Sequence, residues 1–348
     1  MAYYVKVWEV MDRFNADSKV FKDENWITFR AKLFKFEDFV KQWQDSLKEL
    51  PSNPISLHLR TVVDEWWRVV PLLKFVRGDA FTHSHWTEFF KIVSLDRSLT
   101  VDTLLFGHVL DAREAILRRD KDLKALHLRA QGEAQIREAL DDVRSYAASY
   151  LFKLVPHPDR KGVALITEWK EVMSTVNDNQ ALIMSLKDSP HFGPFAEDAN
   201  QWEAKFVLVD EYLHHMVQIQ RKWLYLEPIF ARGALPHEQP RFLRMDKEYL
   251  TVMKEVERDA RVMSLAVQTT YKEKLRTILE QLDRCQKALN EFLEQKRDRF
   301  PRFYFISDDD LLEILGQSRN PQVIQSHLKK LFMGIHTVRF DKPQKFIN

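Results

Sequence analysis

Apolar residues recur along this chain at the three- and four-residue spacing of one helix face. Across residues 25–50 the set Trp26, Phe29, Leu33, Phe36, Val40, Trp43 and Leu47 predicts a helix, ended by Pro51 and Pro54. Residues 57–75 repeat the pattern with Leu59, Val62, Val63, Trp66, Trp67, Val70 and Leu73, and Pro71 predicts a kink or break. After Gly78 and Asp79, FTHSHWTEFFKIV presents Trp86, Phe89, Phe90 and Val93 on a short amphipathic face. Thr100 is expected to open a helix through Leu110, Ala115 and Ile116, continued by the charged RRDKDLK. A further helix over 133–151 carries Ile136, Leu140, Val143, Ala147 and Tyr150. PHPDRKG at 156–162 reads as a turn, followed by two shorter helical segments around 163–176 and 178–188. From Phe195 a long helix carries Trp202, Phe206, Val209, Leu213, Met216, Gln220 and Trp223.

That helix leads into the densest apolar stretch, QRKWLYLEPIFARGALPHEQPRFLRMD at 220–246. Trp223, Leu224, Tyr225, Leu226, Ile229 and Phe230 crowd into two turns, and breaks are expected at Pro228, Gly233, Pro236 and Pro240. Burying side chains of this size contributes roughly 1.5 to 3 kcal/mol each. The stretch therefore reads as a packing hub without a catalytic group. Tyr249, Leu250, Met253 and Val256 mark the next helix. Tyr271, Leu275, Ile278, Leu282, Cys285, Leu289 and Phe292 then alternate steps of four and three, a narrow seam expected to face a helix of the same chain. Beyond FPRFYFISDDD, Ser307 with Asp310 resembles a capping box, and Asn320 before Pro321 starts a last helix. Val323, Ile324, Leu328, Leu331 and Phe332 form its apolar face, Gly334 is expected to stop it, and VRFDKPQKFIN trails behind.

Composition turns these segments into a fold class. The 348 residues are 45% hydrophobic with only 8 Gly and 13 Pro, too little turn material for many short strands. An all-α fold follows, divided into two or more sub-domains by its length. No fixed-period repeat or low-complexity linker interrupts it. Although 30% of residues are charged, the net charge is +2, so neither an acidic tail nor a surface basic enough for nucleic acid is implied. The single Cys285 forbids an internal disulfide and suits a reducing compartment. No apolar run approaches the roughly 18 residues of a membrane span, and MAYYVKVWEV lacks a signal-peptide cleavage pattern. A soluble intracellular protein is expected.

Candidate chemistry is sparse. None of the glycines precedes Lys or clusters into a phosphate-cradling loop, which argues against a nucleotide-binding loop within these residues. His83 and His85 in THSHW, and Glu211, His214 and His215 on one helix side, have spacings that metal ligation can use, but a helix start and a solvated face explain them more simply. Asp308, Asp309 and Asp310 could bind Mg²⁺ or Ca²⁺, but the macrodipole alone favours acids in a first helical turn. Cys285 on the seam behaves as a small hydrophobe. Arg118, Arg119, Lys296, Arg297 and Arg299 are interleaved with acids, which weakens any microtubule or nucleic-acid surface. No metal or cofactor is expected.

QRKWLYLEPIF, LPHEQPRFLRMD, FPRFYFISDDDLLEIL and GQSRNPQVIQSHLKKLF, in this order, resemble the linker region of dynein heavy chains. Upstream, THSHW and QGEAQIREAL are similar to further linker motifs, so the resemblance covers about 57–341. Its diagnostic residues are Trp86, Trp223, Tyr225, Leu226, Glu227, Pro228, Phe230, Phe242, Phe300, Pro301, Phe303, Tyr304 and Phe305. ARGALPHEQPRF is most similar to the dynein subclass of retrograde intraflagellar transport. Tyr146 and Met216 depart from the pattern, standing where many family members carry Trp.

The resemblance implies an elongated stack of helical bundles, with residues 1–55 as an amino-terminal segment and 56–348 as linker bundles. It implies a non-catalytic lever that couples ATP-driven changes in an AAA+ ring to minus-end-directed movement on microtubules, in cytoplasm and cilium. Its partners would be the ring of the same heavy chain and other dynein subunits, with no membrane, nucleic acid or direct microtubule contact. Family heavy chains continue into six AAA+ modules, whereas this sequence stops at Asn348. The break from Gly233 to Pro240 is a candidate hinge. A stand-alone helical scaffold that binds a protein partner is the alternative reading.

Overall fold

The computed structural model describes residues 2–96, 98–231, 233, 235–316 and 321–338. Among these residues the fold is all-α apart from one two-stranded sheet. The chain divides into two compact units, Met1–Ala139 with Ser189–Phe195, and Leu140–Asp188 with Ala196–Asn348.

The first unit contains α1 (Ala2–Lys22), α2 (Trp26–Phe29), α3 (Leu33–Lys48), α4 (Pro54–Val76), α5 (His83–Ile92), α6 (Phe106–Asp111), α7 (Arg113–Arg118) and the beginning of α8 (Asp120–Ser149). The single helix expected over 25–50 is in fact α2 and α3, separated by a 3-10 turn at Arg30–Lys32. The interruption lets Trp26 stack on Phe106, centroids 5.5 Å apart, while Phe39 joins Phe14 and Trp66. Trp26 is wholly buried, and its indole N–H is satisfied by the Val76 carbonyl at 3.1 Å.

Asn53 and Ser56 form a capping box that starts α4, with Pro54 in its first turn. Contrary to the expected break, α4 runs on through Pro71. Proline removes the hydrogen bond to the carbonyl four residues back, here Trp67. Trp67 is 38% exposed and Pro71 is exposed too, so water can take the freed carbonyl. Arg60 ties the end of α3 to α4 by donating to the carbonyls of Leu47 and Leu50. The helix expected from Thr100 starts only at Phe106 and is divided into α6 and α7, which carry Leu110, Ala115 and Ile116. Trp26 N–H donates to the Leu104 carbonyl and Phe106 N–H to that of Glu24, each at 2.8 Å, and this short pairing holds Leu105 extended before α6. The charged RRDKDLK spans the junction of α7 with α8, which begins well before the expected residue 133.

The second unit holds the end of α8, β1 (Lys153–Pro156), β2 (Ala164–Thr167), α9 (Trp169–Leu186), α10 (Ala196–Ala231), α11 (Gln239–Arg258), α12 (Tyr271–Arg299), α13 (Asp308–Gly316) and α14 (Pro321–Leu331). PHPDRKG ends β1 at Pro156 and supplies the connection of an antiparallel hairpin whose register pairs Leu154 with Ile166 and Pro156 with Ala164. β2 takes the start of the first expected helix, and the rest of it joins the second in one continuous helix, α9. Val163 to Ile166 are all buried, and an apolar run so short fits a covered strand as well as a helix.

α10 likewise passes through Pro228, where a break was expected. The freed carbonyl belongs to Leu224, which is 38% exposed. The seam of α12 faces α10 and α11, the intrachain partner expected. It ends on buried Leu293 rather than half-buried Phe292, because an α-helix drifts against a strict heptad and a four-residue step restores the buried face. Ser307 Oγ accepts from Asp310 N–H at 3.2 Å and caps α13. Asn320, expected to cap α14, and the tail from Arg339 onward lie outside the described residues.

Candidate functional site

The hub expected at 220–246 is built from one face each of α10 and α11 and from the hairpin. Trp223, Leu226, Ile229 and Phe230 of α10, and Phe242, Met245 and Tyr249 of α11, are all buried. At its centre Trp223 is fully enclosed, with the Tyr249 ring 5.0 Å away on one side and the His157 ring edge-on at 5.5 Å.

A polar network runs through this apolar packing. Trp223 Nε1 donates to Asp246 Oδ1 at 2.9 Å. Arg160, from the hairpin connection, donates to both oxygens of Asp246 at 2.6 and 3.2 Å, while Glu227 Oε1 lies 3.6 Å from the same guanidinium. The guanidinium also sits 5.5 Å from the Trp223 ring centroid, within cation–π range. The Asp246 carboxylate beside it holds Arg160 above its ordinary pKa. His157 Nδ1 accepts the backbone N–H groups of Asp159 and Arg160, fixing the loop that delivers Arg160.

Gln220 anchors the other side of the hairpin. Its Oε1 accepts from Ile166 N–H at 3.0 Å and its Nε2 donates to the Ile166 carbonyl at 2.8 Å, so one amide occupies the outward edge of β2 as a neighbouring strand would. Tyr249 OH donates to the same Oε1 at 3.1 Å, and burial raises the pKa of this phenol. Across the connection from α10 to α11, Phe230 stacks on Phe242 with centroids 4.7 Å apart and planes 6° from parallel. Arg232 and Ala234 in that connection lie outside the described residues. The stack ties the last turn of α10 to the first turn of α11.

The diagnostic residues thus fall into separate places. Trp223, Leu226, Phe230 and Phe242 converge on the hub, Tyr225 and Glu227 flank it half-buried, and Pro228 is exposed. Trp86 belongs to the first unit, where Phe81 and Phe89 meet it edge-on. Phe300 caps the end of α12, and Pro301, Phe303, Tyr304 and Phe305 lie in the 3-10 turn that follows, where Tyr304 and Phe305 are 53% and 71% exposed. Arg160, Asp246, His157 and Tyr249 were not singled out for polar chemistry from the sequence. Gln220 carried a signal, because a polar residue stood on the apolar face of a long helix.

The remaining candidates disperse. His85 is 1% exposed; its Nδ1 lies 2.8 Å from Thr82 Oγ1 and accepts Thr82 N–H, while Nε2 faces Glu133 at 3.3 Å and His83 stays exposed. Glu211 pairs with Lys272, and His214 with Asp210. Asp308 pairs with Arg297, whereas Asp310 lies beside Lys330 and His327. Cys285 is fully buried, and burial pushes its thiol up to about 11.

The model of the dynein heavy chain, N-terminal region 2, matches residues 1–348. The chain belongs to the dynein heavy chains. It is 46% identical over 345 residues to the cytoplasmic dynein 2 heavy chain 1 of Homo sapiens, covering 98% of this chain and 8% of the relative. Cytoplasmic dynein 2 heavy chain 1 of Tripneustes gratilla is 46% identical, and that of Chlamydomonas reinhardtii 38%, over the same shares. The match takes in the first fifty-odd residues, which the ordered motif blocks did not reach. This dynein region thus spans about 8% of the length of the relatives it matches. Of the two departures from the dynein pattern, Tyr146 stacks on Tyr150 and shares a 3.1 Å hydrogen bond with Thr175, while Met216 is simply buried.

Proposed function

We propose that this chain is the non-catalytic linker of a dynein-2-type heavy chain, a lever that couples ATP-driven changes in an AAA+ ring to minus-end-directed movement on microtubules. The cargo process is retrograde intraflagellar transport, in cytoplasm and cilium. The supporting observation is the cross-braced hub. Hairpin, α10 and α11 are joined by apolar packing and by the Trp223–Asp246–Arg160 and Gln220–Ile166 bonds, which resist shear as a force-bearing segment must. A lever also needs contacts that differ between nucleotide states of its ring. The ring of the same heavy chain is the partner that supplies them.

The test uses purified chain with radiolabelled ATP and with microtubules. The linker reading expects neither saturable nucleotide binding nor co-sedimentation, since ATP and track are handled elsewhere in the motor. Gliding assays on a dynein-2 heavy chain carrying this segment complete it. Trp223→Ala should slow gliding more than it lowers basal ATPase activity. Saturable ATP binding by the isolated chain, or equal loss of gliding and ATPase, would sink the reading.

A further inference from the structure

Asp310 and Glu313 of α13 and His327 of α14 bring ligand-type atoms within 4.8 Å of one another. His327 is only 6% exposed. Its Nε2 lies 2.9 Å from Glu313 Oε2, and its Nδ1 lies 3.4 Å from Asp310 Oδ1 but is buried without a hydrogen-bond partner.

A neutral imidazole carries one proton and one lone pair. If Nε2–H donates to Glu313, the Nδ1 lone pair confronts an Asp310 oxygen; the opposite tautomer sets Nε2 against Glu313. Either way two acceptors share one gap, and only a second proton or a metal ion relieves the repulsion. The gap has the dimensions of a metal site: with zinc bonds of ~2.0–2.2 Å, two ligands of a tetrahedral ion stand about 3.3–3.6 Å apart. Asp310 keeps Oδ2 for Lys330 Nζ at 2.7 Å, leaving Oδ1 for the gap. Two carboxylates and one ammonium leave a net negative charge for a cation to neutralise. Imidazole among the donors selects zinc-like ions over calcium or magnesium.

We propose that His327 Nδ1 and Asp310 Oδ1 ligate a zinc-class divalent ion that clamps α13 to α14. Glu313 accepts Nε2–H and so fixes the tautomer that turns Nδ1 to the metal, and water completes the coordination. A carboxylate holding the second ring nitrogen is a recurrent support for ligating histidines.

Zinc titrated into the whole chain by calorimetry should reveal a saturable site, and cobalt(II) should give the visible absorption of tetrahedral coordination. His327→Gln should abolish both signals, and Glu313→Gln should weaken binding about 10- to 100-fold. Undiminished binding in His327→Gln, or none to the folded wild type, overturns the proposal. Should His327→Gln not fold, histidine ¹⁵N spectra of the wild type decide. Zinc must shift His327 Nδ1, and shifts confined to exposed His83 and His214 mean adventitious binding and overturn it.

Discussion

Trp223 Nε1 and Arg160 Nη1 converge on one oxygen, Asp246 Oδ1, at 2.9 and 2.6 Å. A single carboxylate therefore closes the buried indole of α10 onto α11 and onto the hairpin connection. Trp223 is fully buried, so Trp223→Ala should cost about 3–5 kcal/mol of unfolding free energy. Asp246→Ala should cost about 1–3 kcal/mol, because it orphans the indole N–H while Arg160, 30% exposed, can turn to water. Asp246→Asn keeps an acceptor and should lose less. Denaturant unfolding followed by far-ultraviolet dichroism measures all three; a loss below about 1 kcal/mol for Trp223→Ala contradicts the hub, since surface changes rarely exceed ~0.5 kcal/mol.

The hub was legible in the sequence as apolar density, but its polar bracing was not. Trp223, Leu226 and Phe230 announce themselves by spacing, whereas Arg160 and Asp246 meet across 86 residues of chain and no periodicity links them. The hairpin escaped for a different reason. Residues 163–166 form an apolar run too short to separate strand from helix, and the decisive partner, Gln220, lies 54 residues away. Pro71 and Pro228 misled in the opposite direction. Proline costs a helix least where the carbonyl it frees faces solvent, and sequence alone did not give the exposed orientation of Trp67 and Leu224. The metal-type cluster at His327 depends on contact between successive helices, which spacing within Asp308–Asp310 does not encode.

Gln220 gives a sharper test of the hairpin edge. Gln220→Ala leaves the N–H and carbonyl of Ile166 and the Tyr249 hydroxyl without their partner in a site where Ile166 is 1% exposed. The expected cost is at least about 2 kcal/mol, from unsatisfied buried groups at roughly 1–3 kcal/mol each. Amide hydrogen exchange at Ile166 should accelerate before exchange in α12 does. Unchanged protection at Ile166 would show that the side-chain amide is not what seals the edge.

Gly78 sets the position of Trp86 in the first unit. Its φ is +69°, and a Cβ built there would fall 2.3 Å from Trp86 Cζ2. Gly78→Ala thus combines left-handed strain of roughly 1–2 kcal/mol with overpacking of about 1–3 kcal/mol. Gly162→Ala is the control, because its φ of +77° carries the same strain while nothing lies within 4 Å of the added methyl. Thermal unfolding should show a clearly larger loss for Gly78→Ala; equal losses would remove the contact with Trp86 from the explanation.

Cys285 should be chemically silent in the folded protein. It is fully buried in the α12 seam, and desolvation, with Glu238 adding to it, pushes the thiol up to about 11. Thiolate is the reacting species, so at neutral pH both access and ionisation oppose modification. Ellman's reagent should titrate no thiol in the native chain and one after denaturation. Rapid native reaction would mean that the seam between α12 and its neighbours opens readily.

Asp259, just after α11, gives a pH signature. Hydrogen bonds from the Arg261 guanidinium, at 2.9 and 2.7 Å, bring its pKa down to about 2. A carboxyl whose pKa is lower folded than unfolded stabilises the fold above the unfolded value of about 3.9, and that contribution disappears as pH falls through about 2. Both side chains are more than a third exposed, so the effect is small and screened by salt. Comparison with Asp259→Asn cancels the titration of other carboxylates. The wild type should unfold at higher temperature than the variant at pH 5, and the difference should shrink steadily between pH 4 and 2. A gap that stays constant over this window would mean that the Arg261 contact persists without the charge on Asp259.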